Sequence, residues 1–168
     1  MKFLSIKEYF YKLNTIGFIL LLLPIVVFIF LYYWTVHHPP LFASHEDMII
    51  ILSVLLTLLL VELMVFHLWW GKKIKRLKNV NELAKKMEGY FTLTLLKMSV
   101  YCSCSVLISA GFFLTANSGF TAVFVVVVMA TAVQWPTPAS FCRHLALGKN
   151  ERDMMINNLD LYRRNKRV

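Results

Sequence analysis

Glu62 stands in an apolar run, from Met48 to Trp70, that holds no other Asp, Glu, Lys or Arg. A carboxylate among hydrocarbon side chains can hold a proton, pair with a cation or bind an ion. Lys97 is its counterpart, alone among the charges of the next apolar run, 91–114. If both runs are helices that cross a membrane in opposite directions, Glu62 lies about 12 Å and Lys97 about 9 Å from the same end. A lone charge at the bilayer centre costs roughly 2.5–3.5 kcal/mol, so two opposite charges at similar depth invite an ion pair. The structural reading is a salt bridge with Lys97 snorkelling along its stem. The functional reading is a proton or ion site centred on Glu62.

Further polar residues follow Lys97 at helical spacing. Thr94, Lys97, Tyr101, Cys104, Ser105 and Ser109 fall within an arc of about 140° at 100° per residue. Such a stripe should face protein or water rather than lipid. On 48–70, Thr57, Met64 and His67 share a face from which Glu62 points away. This favours a local pair or a subunit contact over an extended conducting path.

Metal and redox chemistry find less support. Cys102 and Cys104 are two residues apart, so on a helix their sulfurs point about 200° away from each other. His37, His38 and His45 precede Glu46 and Asp47, and these types can ligate zinc or copper. Their spacing matches no ligand template, and a solvated loop is the expectation. His67 is the histidine within a span, too few for a bis-histidine haem. No G-x-S-x-G nucleophile motif occurs. Neither a cofactor nor catalysis is expected.

The elements that carry these residues follow from composition. Of 168 residues, 58% are hydrophobic, well above the roughly 45–50% of soluble domains. The excess lies in runs near 15–34, 48–70, 91–114 and 118–135. At about 1.5 Å per residue, runs of this length suit a hydrocarbon core of about 30 Å. The expectation is an all-α, polytopic protein: a single four-span membrane domain with a basic loop at 71–90 and a tail at 136–168. Lys and Arg are absent from 35–47 and 115–118 but crowd 71–90 and the tail, so both termini are expected in the cytoplasm. The net charge of +9 is then topological, directed at anionic lipid headgroups rather than nucleic acid. No small-x-small cleavage site follows the first run, which is therefore expected to be retained.

Local signals predict the helix boundaries. Ser5 and Glu8 form a capping box, and Pro24 is expected to kink the first helix. Asn79 and Glu82 resemble the cap of a short helix stopped at Gly89. The turn TANSG should fold 91–114 and 118–135 into an antiparallel hairpin. Thr137 with Pro138 predicts a short helix ended by Gly148, with Phe141 and Leu145 on one side and Arg143 and His144 towards another, lying along the membrane surface. An amphipathic segment with Met155, Leu159 and Tyr162 should follow.

With no catalytic constellation, the expected function is that of an integral inner-membrane subunit or assembly factor of a larger membrane complex, bound to other subunits or to copies of itself. The alternative is a small ion- or proton-coupled carrier using Glu62. Compactness and charge bias suggest a bacterial cytoplasmic membrane.

Overall fold

The computed structural model describes residues 6–38, 41–42, 44–80 and 82–156. Ser5, Leu159 and Tyr162 lie outside the described residues. Among the described residues all regular structure is helical: α1 (Ile6–His37), α2 (His45–Lys78), α3 (Leu83–Thr115), α4 (Ser118–Val133), α5 (Pro138–Leu145) and α6 (Lys149–Ile156).

α1, α2 and α3 are each long and apolar enough to cross a membrane. α4 has 16 residues, or about 24 Å, short of the hydrocarbon thickness by itself. Together with α5, bent from it by 79°, it forms a fourth candidate.

Several helix ends differ from the local sequence signals. α2 continues to Lys78, and the Asn79 N–H closes its last turn on the Arg76 carbonyl at 3.3 Å. Asn79 thus finishes one helix instead of capping the next. Gly89 does not stop a helix but lies inside α3. A Cβ there would fall 2.5 Å from Leu77 Cδ1, so the missing side chain lets Leu77 approach. α1 runs through Pro24.

α5 begins as expected, with reciprocal bonds between Thr137 and Ser140 and with Pro138 in the first turn. It ends at Ala146, which is left-handed with φ 48°, rather than at Gly148. The Gly148 carbonyl instead accepts the Arg152 N–H at 2.9 Å and opens α6.

The turn between α3 and α4 matches its sequence. Ala116 is left-handed with φ 53°, and the Asn117 side chain accepts the Gly119 N–H at 2.8 Å. The helices run back along each other, with Gly111 beside Phe120 and Tyr101 bonded to Gln134.

The chain gathers into two compact units. The first takes Met1–Gly17, Leu68–Leu96 and Trp135–Val168. Its core joins Ile6, Tyr9, Phe10 and Leu13 of α1 and Ile74 of α2 to Met87, Tyr90, Phe91 and Leu93 of α3, Phe141 and Leu145 of α5, and Met155 of α6. The apolar side of α5 is therefore buried in protein rather than laid on a membrane surface. The rings of Tyr9, Phe10 and Tyr90 surround Phe141 there.

The second unit takes Phe18–His67 and Lys97–Gln134. Phe28, Leu59, Cys104, Ile108, Phe112, Phe120, Phe124 and Val127 form its core. Phe28 stacks on Phe124 at 4.2 Å between ring centroids.

Two glycines give a paired test of this packing. A Cβ on Gly111 would overlap the Phe120 ring and lie 2.7 Å from Leu55 Cδ1. Phe120 is itself fully buried and cannot step aside. Overpacking of this kind costs about 1–3 kcal/mol, against about 1 kcal/mol gained from helix propensity. Gly71, also helical, has open space around its would-be Cβ. Thermal unfolding in detergent should show Gly111→Ala destabilised and Gly71→Ala stabilised by up to about 1 kcal/mol. A Gly111→Ala midpoint at or above wild type would show that α3 and α4 are not packed this closely.

Candidate intramembrane site

α2 carries Glu62 and α3 carries Cys104, both within the second unit. The Cys104 thiol donates to Glu62 Oε2 at 3.5 Å. Cys104 is fully buried and Glu62 half-buried. Cys104 lies seven residues, or about 10 Å, further along α3 than Lys97. Lys97 is half-buried on the same helix.

A neutral thiol is a weak donor. It leaves the carboxylate with acceptor capacity for a proton, a cation or a donor from a neighbouring chain.

Two serines of the α3 stripe are engaged within their own helix, and Tyr101 is bonded to Gln134, the C-cap of α4. Ser105 Oγ donates to the Tyr101 carbonyl at 2.9 Å, and Ser109 Oγ to the Ser105 carbonyl at 2.8 Å. The Tyr101 hydroxyl exchanges hydrogen bonds with the Gln134 amide at 3.0 and 3.2 Å. Thr94 is buried in the first unit. A hydroxyl bonded to its own helix four residues back has its proton satisfied within that helix. Ser105 and Ser109 therefore let α3 pack closely, with small side chains and satisfied donors.

The exposed His37 and His38 are bonded to the backbone of their own helix. His37 Nδ1 donates to the Tyr33 carbonyl at 2.8 Å and His38 Nδ1 to the Trp34 carbonyl at 3.0 Å. The His38 ring stacks on Trp34 at 4.3 Å. His45 opens α2. Among the described residues no three His, Cys, Asp or Glu side chains come close enough together to hold a metal ion.

A second polar cluster, absent from the sequence expectations, lies in the first unit. His144 of α5 and the Tyr90 hydroxyl of α3 share a hydrogen bond at 3.0 Å, and Trp70 of α2 meets the imidazole edge-on at 5.3 Å. Lys86, buried on α3, pairs with Glu151 of α6 at 3.4 Å. A helical wheel carries a hint of the first contact, since His144 lies only about 60° from Phe141. The second joins residues 65 apart in the chain, with no local signal.

Comparison with protein-family models, with curated proteins and with solved structures finds no match to this chain.

Proposed function

We propose that this chain is a non-catalytic integral subunit or assembly factor of a larger complex in a bacterial cytoplasmic membrane, with four spans and both termini inside. The observation that carries the reading is how little of α2 the chain itself covers. Of its most apolar 18 residues 6% are buried, against 44% for α3. Leu60, Met64 and Val65 are each more than 60% exposed, which in water would be an aggregating surface.

Lipid suits most of that surface, but one face of α2 also presents Ser53, Thr57 and His67 outward beside Met64. Small and polar side chains on an exposed transmembrane face favour a neighbouring helix over acyl chains. The cations outside the apolar runs supply the orientation, since none falls in 35–47 or 115–118. Extraction at native expression in mild detergent, followed by mass spectrometry, tests the proposal. A stoichiometric membrane partner or a defined homo-oligomer is expected, and recovery of the chain as a lone monomer would overturn it.

The second reading, a proton- or ion-coupled carrier, draws on the half-buried Glu62 and its weak thiol donor. Glu62→Gln keeps an acceptor for Cys104 and removes a charge that costs roughly 2.5–3.5 kcal/mol at a bilayer centre. Under the subunit reading the variant is expected to unfold at or above the wild-type temperature. Neither form should carry protons into liposomes beyond the empty-vesicle rate. A wild-type flux abolished by Glu62→Gln would establish the carrier instead.

A further inference from the structure

We infer that the end of α2 from Leu68 to Arg76 is a binding surface for an anionic phospholipid, its acyl chain against Leu68 and Trp69 and its phosphate on Lys72, Lys73 and Arg76. The inference deepens the membrane reading above and rests on it.

Within the first unit this part of α2 has two opposed faces. Trp70, Ile74 and Leu77 turn into the core, with Ile74 only 6% exposed. Leu68, Trp69, Lys72, Lys73 and Arg76 are exposed and fall within about 140° of one another at 100° per residue. Leu68 is 58% and Trp69 38% exposed, so the outer face changes from apolar to cationic within one helical turn.

That change falls where a bilayer ends. The apolar run 48–70 is about 34 Å long, close to a hydrocarbon core plus its edge, whereas the whole helix of 34 residues is about 51 Å long. Lys72, Lys73 and Arg76 therefore stand in the first turns beyond the hydrocarbon, at headgroup depth, and Trp69 is at the depth that interfacial tryptophans prefer.

Among the described residues the cations are also held without a competing anion. Lys73 Nζ lies 5.4 Å from the centre of the Trp69 ring, and a cation–π contact fixes the ammonium without neutralising it. Among the described residues no carboxylate pairs with Lys72, Lys73 or Arg76, whereas Lys85 and Lys86 are taken by Glu82 and Glu151. Packing of the opposite face holds the three cations on a helix rather than a loose loop. A phosphate diester, with negative oxygens beside two acyl chains, complements both halves of the surface. Free phosphate would leave Leu68 and Trp69 uncovered.

The test uses the delipidated full-length protein in a neutral detergent, titrated with short-chain phosphatidylglycerol or phosphatidylcholine and read as bound lipid by native mass spectrometry. Phosphatidylglycerol is expected to bind and inorganic phosphate to compete poorly. At roughly five-fold per cation, Lys72→Gln, Lys73→Gln and Arg76→Gln together should weaken binding on the order of a hundred-fold, to the phosphatidylcholine level. Removing as much charge elsewhere, by Lys7→Gln, Lys78→Gln and Lys149→Gln, should leave most of the preference.

Equal losses in the two triple variants would make the attraction diffuse and overturn the site, as would equal binding of the two lipids by the wild-type protein. Competition by inorganic phosphate as effective as the lipid itself would reduce the site to an anion site and overturn the lipid assignment. Failure of the underlying reading looks different, because the wild-type chain would then be washed from membranes by alkaline carbonate without detergent.

Discussion

Replacing Glu151 by alanine is expected to destabilise the first unit by about 3–5 kcal/mol, the range for removing one partner of a buried ion pair. The asymmetry of the pair gives the prediction its direction. The Lys86 side chain is 9% exposed and that of Glu151 22%, so Glu151→Ala leaves an ammonium in a place from which water is nearly excluded. Lys86→Met leaves a carboxylate that still reaches solvent, and methionine suits a position beside Met87 and Tyr90. It should cost much less, about 1 kcal/mol, as for a pair near the surface.

The double variant Lys86→Met, Glu151→Leu should recover most of what Glu151→Ala loses, because two apolar side chains remove the desolvation cost altogether. Denaturant titration in detergent, with tryptophan fluorescence as the readout, measures all three. If Glu151→Ala proves no worse than Lys86→Met, α6 is not held to α3 by a buried charge.

Phe141→Ala should be comparably damaging, at about 3–5 kcal/mol, because a fully buried phenylalanine is lost together with the aromatic contacts it organises. Phe141 meets Tyr90 edge-on at 4.8 Å, Tyr9 at 6.2 Å and Phe10 at 6.4 Å between centroids. Each favourable aromatic pair is worth about 0.5–1.5 kcal/mol beyond its buried area. Phe141→Leu retains much of the volume and should lose roughly half as much. Arg143, on the exposed side of the same helix, serves as the control, and Arg143→Ala should shift stability by less than about 0.5 kcal/mol. Near-equality of Phe141→Ala and Arg143→Ala in the same titration would mean that α5 rests on a membrane surface and not in a protein core.

These two residues illustrate what a sequence can and cannot convey. Phe141 and Leu145 were legible as one face of a short helix, and Thr137 with Pro138 as its start, because capping and helical periodicity depend on neighbours within about four residues. What that face meets was not legible. A hydrophobic stripe has the same pattern whether it faces lipid, Tyr9 or another subunit.

Glycine was ambiguous for a similar reason. At Gly89 and Gly148 the sequence suggested helix stops. The structure uses Gly89 for the approach of Leu77 and places the left-handed residue at Ala146. Lack of a side chain permits either use, and only the neighbour across the fold selects one.

Glu62 follows the same division. Its isolation among apolar residues was evident from composition, and so was a half-turn offset between Cys102 and Cys104 that allows only one sulfur to face a given partner. That the Cys104 thiol, 42 residues away, donates to Glu62 depends on the rotation and depth of α3 against α2. Local pattern therefore determined the all-helical class and the long apolar helices, since both follow from short-range geometry and from transfer out of water. Tertiary structure alone decided the contacts of Glu62 with Cys104, Lys86 with Glu151 and Tyr90 with His144. Each joins residues 42 to 65 positions apart on different helices, whose mutual rotation is set by the collective packing of side chains that no short segment contains.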